Sequence, residues 1–237
     1  MLELEGVHAF IGQFHILQGV SLRVPPGSVT VLLGRNGAGK TTTLRTIMVL
    51  VPCRAGSITL EGRRIDRLAP YEVARLGIGY VPEDRGVFTG LTVEENLRLA
   101  ARGPRRAWRD RQDRLLGLFP DLAKAWRRRA GTLSGGQQQM LAIARALVNP
   151  NRLLLIDEPS KGLAPQVVRG LTEALAHVKE GTTILLVEQN LAMARALGDR
   201  YVILDDGRTV HHGLMADLAA DQSLQRNYLG VREVVGR

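Results

Sequence analysis

Read for its hydrophobic and polar positions, the chain alternates short apolar runs with stripes at helical spacing. Val29-Thr30-Val31-Leu32-Leu33, Leu153-Leu154-Leu155-Ile156 and Thr183-Ile184-Leu185-Leu186-Val187 are near-continuous apolar runs of strand length, as in strands buried on both faces of a parallel sheet. Helical stripes follow them: Leu44, Ile47 and Met48 within 42–50, Met140, Ala144, Leu147 and Val148 within 137–148, Val167 to Val178 after Pro165, and Leu191, Ala194 and Leu197. Pro52 is expected to stop the first helix, because the residue before a proline avoids helical geometry. The first 24 residues read instead as short strands, with Val20 to Val24 alternating before the Pro25-Pro26-Gly27 turn. Further strands are expected at 57–60 and 78–81, a hairpin across 201–210 and a closing helix over 216–228. Thr92-Val93-Glu94-Glu95 has capping-box form, which starts a helix at Val93.

This alternation predicts an α/β fold, a parallel sheet flanked by helices with an N-terminal antiparallel β region. No strand pattern occurs between 88 and 130, so that stretch is expected to be an α-helical insert. The remainder, 1–87 and 131–237, would form the core of a single domain.

Composition changes the picture little. With 237 residues, 45% hydrophobic and 23% charged, the chain is an ordinary globular protein, and no apolar run approaches the ~20 residues of a membrane span. Met1-Leu2-Glu3-Leu4-Glu5 opens with acids where an export signal carries bases, so export is not expected. Cys53 is the single cysteine, which excludes an intrachain disulfide and fits a reducing compartment. The net charge of +9 is concentrated, because eleven basic residues and only three acids lie between Arg98 and Arg129. A diffuse nucleic-acid surface is therefore a poor explanation, and no stacking aromatics are interleaved for strand binding. The basic insert can be a solvated face, or it can meet acidic loops or anionic headgroups.

The candidate chemistry begins at Gly34-Arg35-Asn36-Gly37-Ala38-Gly39-Lys40-Thr41, set between a buried strand and a helix. That is the G-x-x-x-x-G-K-[S/T] loop of P-loop nucleoside triphosphatases: its glycines aim backbone N–H groups into one concavity, Lys40 reaches the β- and γ-phosphates, and the Thr41 hydroxyl ligates Mg²⁺. Leu153 to Ile156 runs into Asp157-Glu158. A strand beside the phosphate-loop strand would deliver both carboxylates to the C-terminal edge of the sheet, where ligands of parallel sheets bind. Asp157 is then placed to hold Mg²⁺, and Glu158 to orient or deprotonate the attacking water. Leu133-Ser134-Gly135-Gly136-Gln137 precedes that strand; read alone, it is a helix start with Ser134 as N-cap.

Taken together and in this order, the three stretches make the chain resemble ATP-binding-cassette ATPases over nearly its whole length. It is most similar to the compact cassettes of branched-chain amino acid importers, whose relatives serve urea and other amides. Val81-Pro82-Glu83-Asp84-Arg85, Leu91 to Leu97, Asp157 to Pro165 and Leu186-Val187-Glu188-Gln189-Asn190 carry that likeness. The resemblance implies that Asn36, Gly37, Ala38, Gly39, Lys40, Thr41 and Thr42 cradle the phosphates of ATP. It implies that Thr41, Asp157 and Glu83 serve Mg²⁺, and that Glu158, Lys40 and Gln189 form the catalytic set. Ser134, Gly135 and Gly136 would contact the γ-phosphate held by a second cassette, identical or paralogous. Transmembrane permease subunits, and indirectly a periplasmic or extracellular solute-binding protein, would be partners at the cytoplasmic face of the membrane. No nucleic-acid partner is expected. The alternative is a cassette acting on ribosomes or DNA, but its members usually carry two cassettes or long coiled-coil insertions.

Four positions depart from the wider family: Glu83 for glutamine, Gln189 for the switch histidine, Ala164 for aspartate, and Ile11 where an aromatic stacks on adenine. Gln189 still donates a hydrogen bond to a phosphate but gains no proton near neutral pH, so hydrolysis would rest more on Glu158. Glu83 adds negative charge near the metal, which either tightens Mg²⁺ or repels phosphate. Phe10 or Phe14 can stand in for the missing aromatic, or the base can rest on an aliphatic surface.

Overall fold

Each of the three apolar runs is a strand whose side chains are buried on both faces, and these strands are the middle of the fold. The computed structural model describes residues 1–229, with side chains throughout except at 105–107. In chain order the elements are β1 (Leu2–Ile11), β2 (Phe14–Val24), β3 (Val29–Leu33), α1 (Lys40–Ile47), β4 (Cys53–Leu60), β5 (Arg63–Arg64), α2 (Pro70–Arg75), β6 (Ile78–Val81), α3 (Val93–Ala100), α4 (Arg105–Leu118), α5 (Pro120–Lys124), a 3-10 turn at Ala130–Thr132, α6 (Gly135–Leu147), β7 (Leu153–Asp157), α7 (Pro165–Lys179), β8 (Thr183–Val187), α8 (Leu191–Leu197), β9 (Arg200–Asp205), β10 (Arg208–Leu214), α9 (Met215–Ala220) and α10 (Gln222–Leu229).

The central sheet has the order β10-β9-β3-β8-β7-β6, with only the edge pair β9–β10 antiparallel. Alternate residues of each strand serve different cores. Val31, Leu33, Leu154, Ile156, Ile184 and Leu186 pack with the helices α3, α5, α6, α7 and α8, whereas Leu32, Leu153, Leu155, Leu185 and Val187 pack with α1 and the antiparallel layer. Each such fully buried aliphatic contributes roughly 1.5–3 kcal/mol by leaving water. The second sheet, β2-β1-β4-β5, is antiparallel throughout and lies on the same side of the central sheet as α1, sharing one core with it.

The expected α/β class is therefore found, with four differences of detail. The N-terminal strands are long rather than short: β1 and β2 form a hairpin that stays paired from Leu2↔Val24 to Ile11↔Phe14, taking up bulges along the way. Helix α1 ends before Pro52 acts on it. Its C-cap is Met48, Val49 turns left-handed at φ +55°, and the N–H groups of Leu50 and Val51 return to the carbonyl of Arg45. The closing helix is two helices, broken at Asp221 between α9 and α10. Strand β7 is not beside β3, because β8 lies between them and hydrogen-bonds to both.

Between β6 and α6 the segment 88–130 holds α3, α4 and α5. The capping box forms as expected, Thr92 Oγ1 accepting from Glu95 N and Glu95 Oε2 accepting from Thr92 N. Asn96, fully buried, donates to the carbonyls of Phe88 and Thr92 and accepts from Phe88 N, which pins the entry loop to α3. Part of the basic charge caps backbone: Arg111 donates to the Arg102 carbonyl and Arg128 to the Thr132 carbonyl. Arg109, Arg114, Arg127 and Arg129 are exposed, and the side chains of Arg105 and Arg106 lie outside the described residues.

Candidate nucleotide site

The phosphate loop leaves the C-terminal end of β3 at Gly34, whose φ is +146°. A Cβ there would sit 2.3 Å from the Leu204 carbonyl oxygen, so only glycine fits. Gly39, at φ +99°, is the N-cap of α1, and no side chain caps that helix. The first N–H groups of α1 therefore point at whatever enters the loop, with the helix dipole behind them. Asn36, Gly37, Gly39, Lys40, Thr41 and Thr42 line a pocket of about 270 Å³ together with Ile16, Glu83, Glu158 and Lys161. Ala38 is buried behind it and donates its N–H to the Arg35 carbonyl.

Lys40 is 5% exposed, and its ammonium lies 2.9 Å from the Gly34 carbonyl oxygen, 3.0 Å from that of Arg35 and 3.4 Å from Glu158 Oε1. Gln189 donates from Nε2 to the same Glu158 oxygen at 2.5 Å and to Asn36 Oδ1 at 2.7 Å. The Glu158 backbone is in the left-handed region at φ +44°, held there by its N–H bond to the Val187 carbonyl. Such a conformation in a non-glycine residue costs roughly 1–3 kcal/mol and concentrates where a side chain must be aimed.

Although β8 intervenes, the first turn of α1 crosses the sheet edge to reach β7: Thr41 Oγ1 donates to Asp157 Oδ1 at 3.2 Å. Asp157 is fully buried, and its Oδ2 has no hydrogen-bond partner among the described residues. A hydroxyl beside a carboxylate with an unused oxygen suits a hard cation such as Mg²⁺, which takes few protein ligands and completes its shell with phosphate and water. Among the described residues no cluster of three acids or histidines forms a cage of its own. The Glu83 carboxylate is paired with the ammonium of Lys161 at 2.5 Å.

Burial, reinforced by the Glu158 and Glu83 charges and opposed by the Thr41 hydroxyl and Lys40, pushes the Asp157 carboxyl up to about 6. A folded-state value above the unfolded 3.8 gives stability that is present at low pH and lost as pH rises through about 6. Asp157→Asn should therefore stabilise the ligand-free protein at pH 7.5 by on the order of 2 kcal/mol, the gain shrinking as pH falls towards 4. Thermal melts of both proteins across that range measure it. A melting point lowered at every pH would contradict the assigned burial cost.

Two supporting residues were not singled out from the sequence. Glu188, 1% exposed at the end of β8, accepts from Ser160 N, Ser160 Oγ, Gln189 N and Asn190 N, so one carboxylate braces the turn after Glu158 and the turn carrying Gln189. Its signal was visible: an acid ending a buried strand, as Asp157 does on β7. Lys161 follows Glu158 by three residues and reaches Glu158 Oε2 at 3.6 Å as well as Glu83.

The Ser-Gly-Gly stretch caps α6. Ser134 Oγ accepts from Gln137 N while Gln137 Oε1 accepts from Ser134 N. A Cβ on Gly136 would meet Val167 at 2.5 Å, and one on Gly135 the Arg85 guanidinium at 3.3 Å. None of Ser134, Gly135 and Gly136 lines the phosphate pocket of its own chain. Ile11 is 44% exposed at the hairpin tip, paired with Phe14, and also lies outside that lining. Phe10 is stacked on His15 at a centroid distance of 4.2 Å.

Comparison with known proteins adds the following. The family model described as "ABC transporter" matches residues 17–161. The "High-affinity branched-chain amino acid transport ATP-binding protein BraG" of Pseudomonas aeruginosa is 41% identical over 97% of this chain and 100% of its own. The "Probable branched-chain amino acid transport ATP-binding protein LivF" of Archaeoglobus fulgidus is 36% identical over 98% and 99%. Among solved structures, an ATP-binding subunit of an ABC transporter superposes with a TM-score of 0.81 at 33% identity, covering 93% of this chain and 92% of its own. A dimeric ATP-binding cassette in a post-hydrolysis state, bound to ADP and Pi, gives 0.81 at 26% identity, covering 91% and 99%.

Proposed function

This chain belongs to the ABC transporter family of ATPases, and from that premise we propose that it energises import of a branched-chain amino acid or a related amide. The observation that carries the solute class is likeness along the whole chain to two branched-chain amino acid transport proteins. Among the described residues no helix is long and apolar enough to cross a membrane. Transport therefore needs permease subunits, on whose cytoplasmic side the chain would dock, with a solute-binding protein on the far side.

Mg²⁺ on Thr41 and Asp157 would supply charge neutralisation of the β- and γ-phosphates when bound. Lys40 and the loop amides bind the phosphates. Glu158 takes a proton from the attacking water as the water oxygen bonds to the γ-phosphorus and the bond to the ADP oxygen breaks, ADP leaving with that electron pair. Gln189, donating to Glu158 and Asn36, holds the carboxylate on the water side. Ser134 to Gly136 of a second copy would close each site, which is why they do not line their own pocket. Adenine would lie on Ile11, Phe14 and Ile16: Ile11 and Phe14 are cross-strand partners at the hairpin tip, and Ile16 lines the phosphate pocket.

Purification of the tagged protein from solubilised membranes should bring down a hydrophobic permease, and disruption of the gene should abolish uptake of labelled leucine. Ribosomes in place of the permease would overturn the assignment, and unaltered leucine uptake would overturn its branched-chain amino acid part.

A further inference from the structure

We propose that Lys161 is a second lysine for the terminal phosphate of ATP, and that it makes the site prefer a triphosphate to a diphosphate. This rests on the ATPase reading given above and deepens it. The Glu158 carboxylate is met by three donors from three segments: Lys40 at 3.4 Å and Gln189 at 2.5 Å on Oε1, and Lys161 at 3.6 Å on Oε2. A base must lie within hydrogen-bond reach of the water that attacks the γ-phosphorus, so a cation beside that base which, unlike Lys40, is not tied to the loop carbonyls has the γ-phosphate as its nearest phosphate. Lys40, tied to the loop carbonyls, and the helix N-terminus serve the phosphates that ATP and ADP share.

The two lysines differ in freedom. Lys40 is held in the loop with 4% of its side chain exposed, whereas the Lys161 side chain is 57% exposed on a flexible stem and its ammonium makes ion pairs with carboxylates, Glu83 and Glu158. Only four of the 32 basic residues are lysines, and two of the four line this pocket. The charge balance gives Lys161 its weight: among the described residues two carboxylates, Glu83 and Glu158, line the pocket with a third, Asp157, buried behind Thr41, against the ammoniums of Lys40 and Lys161. Without Lys161 a single ammonium would face them, and the extra charge of a third phosphate would meet net repulsion. Glu83 reaches Lys161 from the opposite side of the pocket mouth, from the turn after β6, and competes with the phosphate for it.

The test uses the full-length protein and equilibrium binding of ADP and of a β,γ-imido ATP analogue, each with Mg²⁺ and with EDTA. Lys161→Met should weaken the analogue about tenfold and leave ADP within about twofold, as expected for loss of one charge-assisted contact at an exposed site. Lys161→Arg should keep most of the preference, since it keeps the charge. Glu83→Gln should tighten the analogue several-fold more in the wild-type background, where it also frees Lys161, than in the Lys161→Met background, in EDTA as well as Mg²⁺. Equal losses for both nucleotides, no loss for either, or a Glu83→Gln effect as large in the Lys161→Met background as in the wild type would overturn the proposal. Failure of the wild-type protein to bind either nucleotide would instead overturn the ATPase reading itself.

Discussion

Glu158→Gln turns the protein into one that binds ATP and scarcely hydrolyses it, with turnover reduced by about 10²–10⁴-fold, the range a positioned general base supplies. The substitution keeps the volume of the side chain and its place among Lys40, Gln189 and Lys161, so binding should survive. What it removes is the carboxylate proposed to take the proton of the attacking water. It also removes one of the negative charges that raise the Asp157 carboxyl, which relieves repulsion of the phosphates. The variant should therefore hold ATP more tightly and persist as a dimer on size exclusion in ATP and Mg²⁺, while the parent passes back to monomer as ATP is consumed. Steady-state phosphate release gives the rate, and turnover at the parental rate would move the base elsewhere.

Lys40→Ala has the other large effect, on binding. The ammonium is buried and fixed by the Gly34 and Arg35 carbonyls, so its position is set before any phosphate arrives. Hydrogen bonds to charged groups are worth about 1.5–3 kcal/mol each, and with two phosphate oxygens proposed to depend on this ammonium, affinity for ATP should fall by about 10²–10⁴-fold. ADP affinity should fall as well, because the β-phosphate is common to both nucleotides; this sets Lys40 apart from Lys161. Lys40→Arg should not rescue it, since a planar guanidinium does not replace a compact ammonium in a loop closed by glycines at 34 and 39. Undiminished ATP binding by Lys40→Ala in a displacement titration would mean that the phosphates are held somewhere other than this loop.

Much of the site was legible because its parts are local. Gly34 to Thr41 need consecutive backbone groups, and their spacing is written in the chain. Asp157 and Glu158 end an apolar run, so a reader can place them at a sheet edge. Ser134, Thr92 and Asn190 are helix N-caps, each accepting from an N–H three residues on, a relation carried within one turn. Lys161 was harder to find. Its partner Glu83 is distant in sequence, and a lysine in a polar turn is ordinarily a solvated one.

The sequence by itself determined the buried strands of the central sheet: runs such as Leu153 to Ile156 have no polar position to turn towards water, so they must be covered on both faces. It could not determine neighbour order within the sheet, since parallel strands joined by helices have similar apolar patterns and any of them can satisfy its edges against another. Only the tertiary structure decided that β8 separates β3 from β7 and that α1 bridges that gap to join Thr41 to Asp157. It alone also decided that the signature turn stands away from its own phosphate pocket while Gln189 converges on Glu158 and Glu83 on Lys161. Those relations join residues far apart in the chain, and only the packing of side chains across the sheet edge selects them.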